Sequence, residues 1–561
     1  MQIRCPRWGL VAAALLVTTY AAVLPAAAPE LRPPLSVQWI YSMGPSPREG
    51  KAPVVKSGRV YVTYAGGLRC LDAVTGARQW RFEPKGVDVT TTPVLAGDLV
   101  IVGANDGYMY GVDAATGKKV WEQKCAGAIG GDPILVDDVL LVGAQEMVYA
   151  MSPDSGQPKW VCGLTAPVSD GPLVDNGLAF FLCQDGSLQC VDLSEGHYRW
   201  AAKLPTGPNP FTPIIVGRRV LVGAGKSLVA VSRGGSISWT AQLPAGLGGR
   251  PVVEGDLLYV PSVGQPGLRE ETTETGGAAS SARIVKLSPI RGSTILGEIL
   301  ILSSSSGRQT GNPPFRVSGA ATTPPLLVGN LLVSGTGTAM VYALDRASGT
   351  ALWAYRCLAP EQDQSAGATQ GIYAPLLAAD GSLYCLTGGG DLYCFSATAP
   401  DAAGPVLSDM KPQSDEALPS KTPVDVTFTV VDEGSGVDPA SIEATFDGDP
   451  AEVEFDPASG SGAFHIGSPK DGSHVVKVAA KDYRGNAYAT QWSFLTDSTI
   501  KPLETQQTTG TIRRRTGGTA GQRGGAGGGG GAGGGGGGGG GRGGGGGGGG
   551  GRGGRGGGGR G

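Results

Sequence analysis

A chain of 561 residues with 40% apolar content and a formal net charge of −3 has room for several packed units, but its 97 glycines are too many for all of it to pack. The charge is divided: from Arg513 onward there are eight arginines and no acid, which leaves −11 on the rest of the chain. No stretch beyond residue 28 approaches the roughly 20 apolar residues of a bilayer span, which excludes a helical membrane protein.

Residues 1–28 read as a secretory signal. Arg4 and Arg7 give a positive start, an apolar run extends from Leu10 to Leu24, and Ala26, Ala27 and Ala28 supply small residues for cleavage. From there a repeat governs the sequence. One signature reads LRCLDAVTGARQW (68–80), MYGVDAATGKKVW (109–121), VYAMSPDSGQPKW (148–160) and LQCVDLSEGHYRW (188–200), with weaker and stronger copies at 228–239 and 341–353. A proline followed by two short apolar runs precedes each copy, at Pro53, Pro93, Pro133, Pro172, Pro213, Pro251, Pro325 and Pro375. Each unit is expected to hold four short strands, as in 92–96, 99–103, 109–113 and 118–123, with turns at Asp106-Gly107 and Thr116-Gly117.

In the Asp-x-x-Thr-Gly turn the aspartate accepts hydrogen bonds from turn amides, and the glycine takes a left-handed conformation. The tryptophan that follows (Trp80, Trp121, Trp160, Trp200, Trp239, Trp353) fills the wedge between neighbouring sheets, its N–H seeking a backbone carbonyl. Sheets of four strands repeated about every 40 residues bury both faces by radial packing, which gives an all-β, eight-bladed β-propeller over 36–400. The last unit, DLYCFSATAP (391–400), lacks a tryptophan strand, whereas SVQWIYS (36–42) carries Trp39 and has no unit of its own. Donating that segment to the last blade closes the ring.

These motifs resemble the quinoprotein-like (PQQ-repeat) propeller family, with likeness to the BamB-type assembly factors, over about 37–400. Unit six departs: RIVKLSPIRGSTILGEI (283–299) has neither the aspartate nor the tryptophan. The family contains dehydrogenases that bind pyrroloquinoline quinone, scaffolds without cofactor, and sensory domains. A quinone enzyme needs a calcium held by carboxylate and amide oxygens beside an aspartate base. No clustered set, vicinal Cys-Cys pair or C-x-x-C-H is found, and His197 is the sole propeller histidine. The reading is therefore a non-catalytic scaffold without cofactor; a quinone oxidoreductase and a carbohydrate-binding surface protein are the alternatives.

Three long connections, 262–282, 303–323 and 356–373, are expected on one face of adjacent blades. Residues just before the eight prolines should rim the central funnel there: Lys51, Thr91, Thr92, Asp132, Asp170, Thr212, Arg250 and Tyr373. They form either a site for a polar ligand or an ordinary solvated rim. Cys385 and Cys394 are the best disulfide candidate, facing each other across a hairpin at Gly389-Gly390, but buried thiols are the better reading of these positions.

Past Ala399 the composition changes. Residues 401–423 are a linker or first edge strand, and alternating segments over 424–497 argue a small β-sandwich that resembles bacterial immunoglobulin-like modules. Asp432, Glu433, Asp482 and Asn486 lie where its loops should converge, as solvated acids or as oxygen ligands for calcium. Residues 498–561, rich in glycine and arginine, are expected to be disordered. Such a tail could suggest RNA, but an exported chain points instead to an envelope protein or polysaccharide as partner and away from nucleic acid.

Overall fold

The computed structural model describes residues 31–44, 51–64, 66–205, 213–265, 296–357 and 371–501. The export segment, the tail from residue 502, Thr212, and most of the connections 262–282 and 356–373 lie outside the described residues.

Residues 36–396 form eight four-stranded antiparallel sheets. The second is typical: Val94–Ala96, Leu99–Gly103, Tyr108–Asp113 and Lys119–Lys124 run in meander order. Its second strand is apolar on consecutive residues, and Val100, Ile101 and Val102 are all fully buried. A strand buried on both faces needs a partner on each side, and the cores supply them. One apolar cluster lies between the first and second sheets (Tyr61 and Leu68 with Val100 and Tyr110). The next joins the second and third (Ile101 and Trp121 with Leu140 and Val142), and the series continues around the ring. The last cluster joins the eighth sheet to the first, through Tyr384 and Leu392 with Val60 and Val62. The arrangement is that of a closed β-propeller. Each large side chain buried in these wedges contributes about 1.5–3 kcal/mol.

Closure uses the chain's early segment. Ser36–Ser42 pairs antiparallel with Asp391–Ser396, with Trp39 opposite Cys394. In seven of the eight sheets a small residue faces the aromatic strand at this place: Cys70 faces Trp80, Gly111 faces Trp121, Ala150 faces Trp160 and Cys190 faces Trp200. The reason is steric, since a Cβ at Gly111 would meet Trp121 at 2.2 Å. The Asp-x-x-Thr-Gly turns also behave as their chemistry requires. Asp113 Oδ1 accepts from the Thr116 amide (2.7 Å) and hydroxyl (2.6 Å), which holds its carboxyl below the ordinary range. Gly117 has φ +72°, and a Cβ there would strike Trp80 of the preceding sheet at 2.6 Å.

One expectation fails. The sixth sheet takes its third strand from Leu296–Ser303 and its fourth from Phe315–Ser318, so 303–323 is not a free connection and the repeat does not start at 283. Ser303 stands in the aspartate's place, Gly307 packs on Trp239, and Phe315 substitutes for the tryptophan against Gly349. The preferred reading of Cys385 and Cys394 as buried thiols holds. Cys385 is opposite Tyr393 and Cys394 is opposite Tyr384, so the thiols point to opposite faces and enter different cores. All eight cysteines among the described residues are free and buried.

The remaining described strands form a four-stranded and a five-stranded sheet. The stretch 401–423 is not a free linker: Val406–Lys411 is an edge strand, and Ala417–Pro419 pairs parallel with Ala487–Asp497. The alternation of Val424–Val431 sends Val424, Val426, Phe428 and Val430 inward to meet Val476, Val478, Trp492 and Phe494 of the other sheet. The sole helical turn among the described residues is Pro439–Ser441.

Candidate functional site

The funnel-rim residues fall into three groups. Lys51, Thr92 and Asp132, from the entrances of the first three sheets, are brought together. Asp132 accepts from the Thr92 amide and hydroxyl, both at 2.8 Å, and lies 3.6 Å from Lys51 Nζ. Thr91 and Asp170 serve the backbone. Thr91 is buried, accepting from the Gly103 amide (2.8 Å), while its carbonyl accepts from Thr63 (2.8 Å). Asp170 accepts from the Gly171 amide at 2.8 Å. Arg250 and Tyr373 are half-buried at the sixth and eighth entrances, and no ion pair joins Arg250 to Asp132 or Asp170. Among the described residues Asp132 is thus bound to Thr92 and faces Lys51, and Arg250 and Tyr373 take no part in that group.

A second threonine pair went unread in the sequence. Thr323 accepts from the Gly335 amide (2.8 Å), and Thr322 donates to the Ile372 carbonyl (2.5 Å). The signal was present, because Thr-Thr-Pro occurs at 91–93 and again at 322–324.

The acids of the two-sheet module are also gathered together, but not in the expected set. Asp401, Asp432 and Asp482 each offer a carboxylate oxygen, all within 4.8 Å of one another. Asp482 is only 2% exposed. Glu433 is exposed and contributes its backbone carbonyl elsewhere, while the Asn486 amide donates to Asp482 (2.7 Å) and to the Asp401 carbonyl (3.2 Å). Asp401 was missed because it precedes the module's first strand by sequence and joins it only in space. Asp432 Oδ2 accepts from the Gly434 (3.0 Å) and Gly436 (2.7 Å) amides. Even so, burial pushes its carboxyl up to about 6, and repulsion from Asp401 and Asp482 adds to the rise. Asp401 Oδ2 is buried without a hydrogen-bond partner. A donor set made only of carboxylate oxygens suits a hard cation such as calcium, and the same crowding without one is repulsive.

Asp401 and Asp432 line a cavity of about 780 Å³ between the module and the last two propeller sheets, with Val37, Tyr355 and Tyr393. Among the described residues no other acid, histidine or cysteine cluster is close enough to hold a metal. Asp132, the acid expected at the entrance of the third sheet, is engaged by Thr92 and Lys51.

A family model described as outer membrane protein assembly factor BamB matches residues 36–160 and 109–246. The assembly factor BamB of Burkholderia pseudomallei is 26% identical over 274 residues, covering 48% of this chain and 66% of that protein. The quinoprotein ethanol dehydrogenase of Pseudomonas aeruginosa is 31% identical over 119 residues, covering 20% of this chain and 18% of the enzyme. The chain spans no more than about two thirds of the length of these relatives. Among solved structures, the quinohemoprotein alcohol dehydrogenase of Comamonas testosteroni gives a TM-score of 0.48 at 16% identity, over 69% of this chain and 79% of that one.

Proposed function

From a PQQ-type repeat propeller similar to BamB, we propose a non-catalytic binding platform of the cell envelope that recognises an envelope protein. The observation that carries this reading is the state of the rim. Asp132, the acid best placed to act in the funnel, holds the Thr92 amide and hydroxyl and faces Lys51 instead of presenting a free base. What remains for a ligand is Arg250 and Tyr373, half-buried at the entrances of the sixth and eighth sheets, a pair that suits recognition of a polar protein segment. The module over 424–497, read as immunoglobulin-like, adds a second surface, and the chain works outside the cytoplasm.

A photo-crosslinking residue at position 373 in the full chain tests this. Crosslinks to one envelope protein that vanish with Arg250→Glu are expected; crosslinks to polysaccharide alone, or none, would overturn it. The second reading, a quinone oxidoreductase, is favoured only by local similarity to dehydrogenases such as the one from Pseudomonas aeruginosa. It requires alcohol-dependent dye reduction once pyrroloquinoline quinone and calcium are added, and no such activity is expected.

A further inference from the structure

Between successive propeller sheets the tryptophan N–H makes one recurring bond, to the residue after the first turn position of the next sheet. Trp39 donates to the Ala73 carbonyl (3.1 Å), Trp80 to Ala114 (3.1 Å), Trp121 to Pro153 (3.0 Å), Trp160 to Leu193 (3.0 Å) and Trp200 to Arg233 (2.9 Å). Trp239 of the fifth sheet is buried with its N–H unpaired and the sixth sheet carries Phe315 in place of a tryptophan, so the bond lapses there; at the seventh sheet it is redirected. Trp353 should reach Ala397, next in the eighth sheet, but it donates to the Ser435 carbonyl at 2.7 Å, 82 residues away in the two-sheet module. The Ala397 carbonyl is taken by Arg484 of the same module.

The cause lies in how the ring closes. In the other sheets the turn glycine seats the tryptophan of the sheet before, as Gly117 seats Trp80. The eighth sheet borrows its outer strand from Ser36–Ser42, so it has no third-to-fourth hairpin and no such glycine. We infer that the module's loop 432–436 serves as the missing blade turn, a clasp docked in cis on the seam between the seventh and eighth sheets.

Three successive carbonyls of the loop face the seam. Glu433 accepts from the Tyr355 hydroxyl (3.1 Å), Gly434 from the Val37 amide (3.1 Å) and Ser435 from Trp353. Tyr355 and Trp353 belong to the seventh sheet and Val37 to the closing strand, so one loop ties together the two elements that the ring must hold at its joint. Arg484 adds a bond from Nε to Ser36 Oγ at 3.1 Å. Gly436 also packs closely on the seventh sheet, against its backbone and not against the Trp353 ring: its φ is +88°, and a Cβ there would meet the Ala354 carbonyl at 2.6 Å. The loop is held in shape from inside by Asp432, whose Oδ2 accepts from Gly434 and Gly436. Trp353 is consequently wholly buried, whereas Trp39 retains 8% and Trp121 9% exposure. The module is then part of the propeller's closure and opens together with it.

Native-state hydrogen exchange of the full chain in increasing urea tests the clasp. In the wild type, amides of 36–42 and of 432–437 should converge on one shared opening as urea rises. Gly436→Val, Arg484→Ala and Trp353→Phe should each speed exchange in 36–42 by about 10-fold, the effect of losing one or two seam bonds. Strand 99–103, on a remote sheet, should stay at its wild-type rate. If Gly436→Val does not fold, the milder pair carries the comparison, and the wild-type measurement needs no variant. Separate openings for 36–42 and 432–437 in the wild type would overturn the inference. So would variants that loosen 432–437 while leaving 36–42 unchanged, or that alter neither.

Discussion

Neutralising Asp432 should make the protein more stable at neutral pH, although it removes a carboxylate that accepts two hydrogen bonds. The folded Asp432 carboxyl lies at about 6 against an ordinary 3.8. A folded-state value raised above the unfolded one means that the folded protein binds the extra proton. The cost of ionising the group is therefore absent below about pH 4 and fully present above about pH 6. Two units correspond to about 3 kcal/mol, which screening through the partly open cavity reduces to about 1–2 kcal/mol. In Asp432→Asn the amide oxygen still accepts from Gly434 and Gly436, and the repulsion from Asp401 and Asp482 is gone. Urea unfolding in chelator, followed by fluorescence from pH 4 to 8, should show a gain of about 1–2 kcal/mol at pH 7.5 that shrinks to nearly nothing at pH 4. A loss of stability at pH 7.5, or a difference that does not change with pH, would refute the electrostatic reasoning.

Asp132→Ala should cost about 1–2 kcal/mol by stranding the half-buried Thr92 amide, whereas Lys51→Ala, removing a 3.6 Å exposed ion pair, should cost less than about 0.5 kcal/mol. Denaturant midpoints of the two variants check the ranking. Gly117→Ala should cost about 2 kcal/mol or more, because strain at φ +72° is joined by a clash with Trp80, while Gly97→Ala, at φ +58° with nothing within 4 Å, should cost about half that. Peptide mapping without reductant should recover no Cys385–Cys394 bridge, since the two thiols enter opposite cores; finding one would contradict the strand register.

The repeats were legible because most blades restate the same chemistry: an aspartate or serine at the turn, a glycine with positive φ, and a tryptophan opposite a small residue. The closing strand was legible for the complementary reason, since Trp39 had a signature and no unit. Sheet six misled because Ser303 and Phe315 keep the geometry of the motif while changing its letters. For Cys385 and Cys394, preferred as buried thiols, the register explains why they stay apart: proximity along a hairpin does not decide which face a side chain takes, and one residue of register does. The acid cluster and the seam were beyond local patterns. Asp401, Asp432 and Asp482 are brought together by the docking of a strand and two loops, and Ser435 receives Trp353 only because a hairpin is missing 40 residues earlier. Nothing in the sequence near either residue records that absence.

The account rests on the joint between the start and the end of the propeller. Tyr41 and Leu392 are directly opposite in the antiparallel pairing and share one core, a spacing that accommodates a disulfide. The full chain carrying Tyr41→Cys and Leu392→Cys, oxidised mildly under native conditions and mapped by mass spectrometry, should yield an intramolecular bridge between the two positions. Bridges only between molecules, or none while the protein remains folded, would show that this strand does not close the ring.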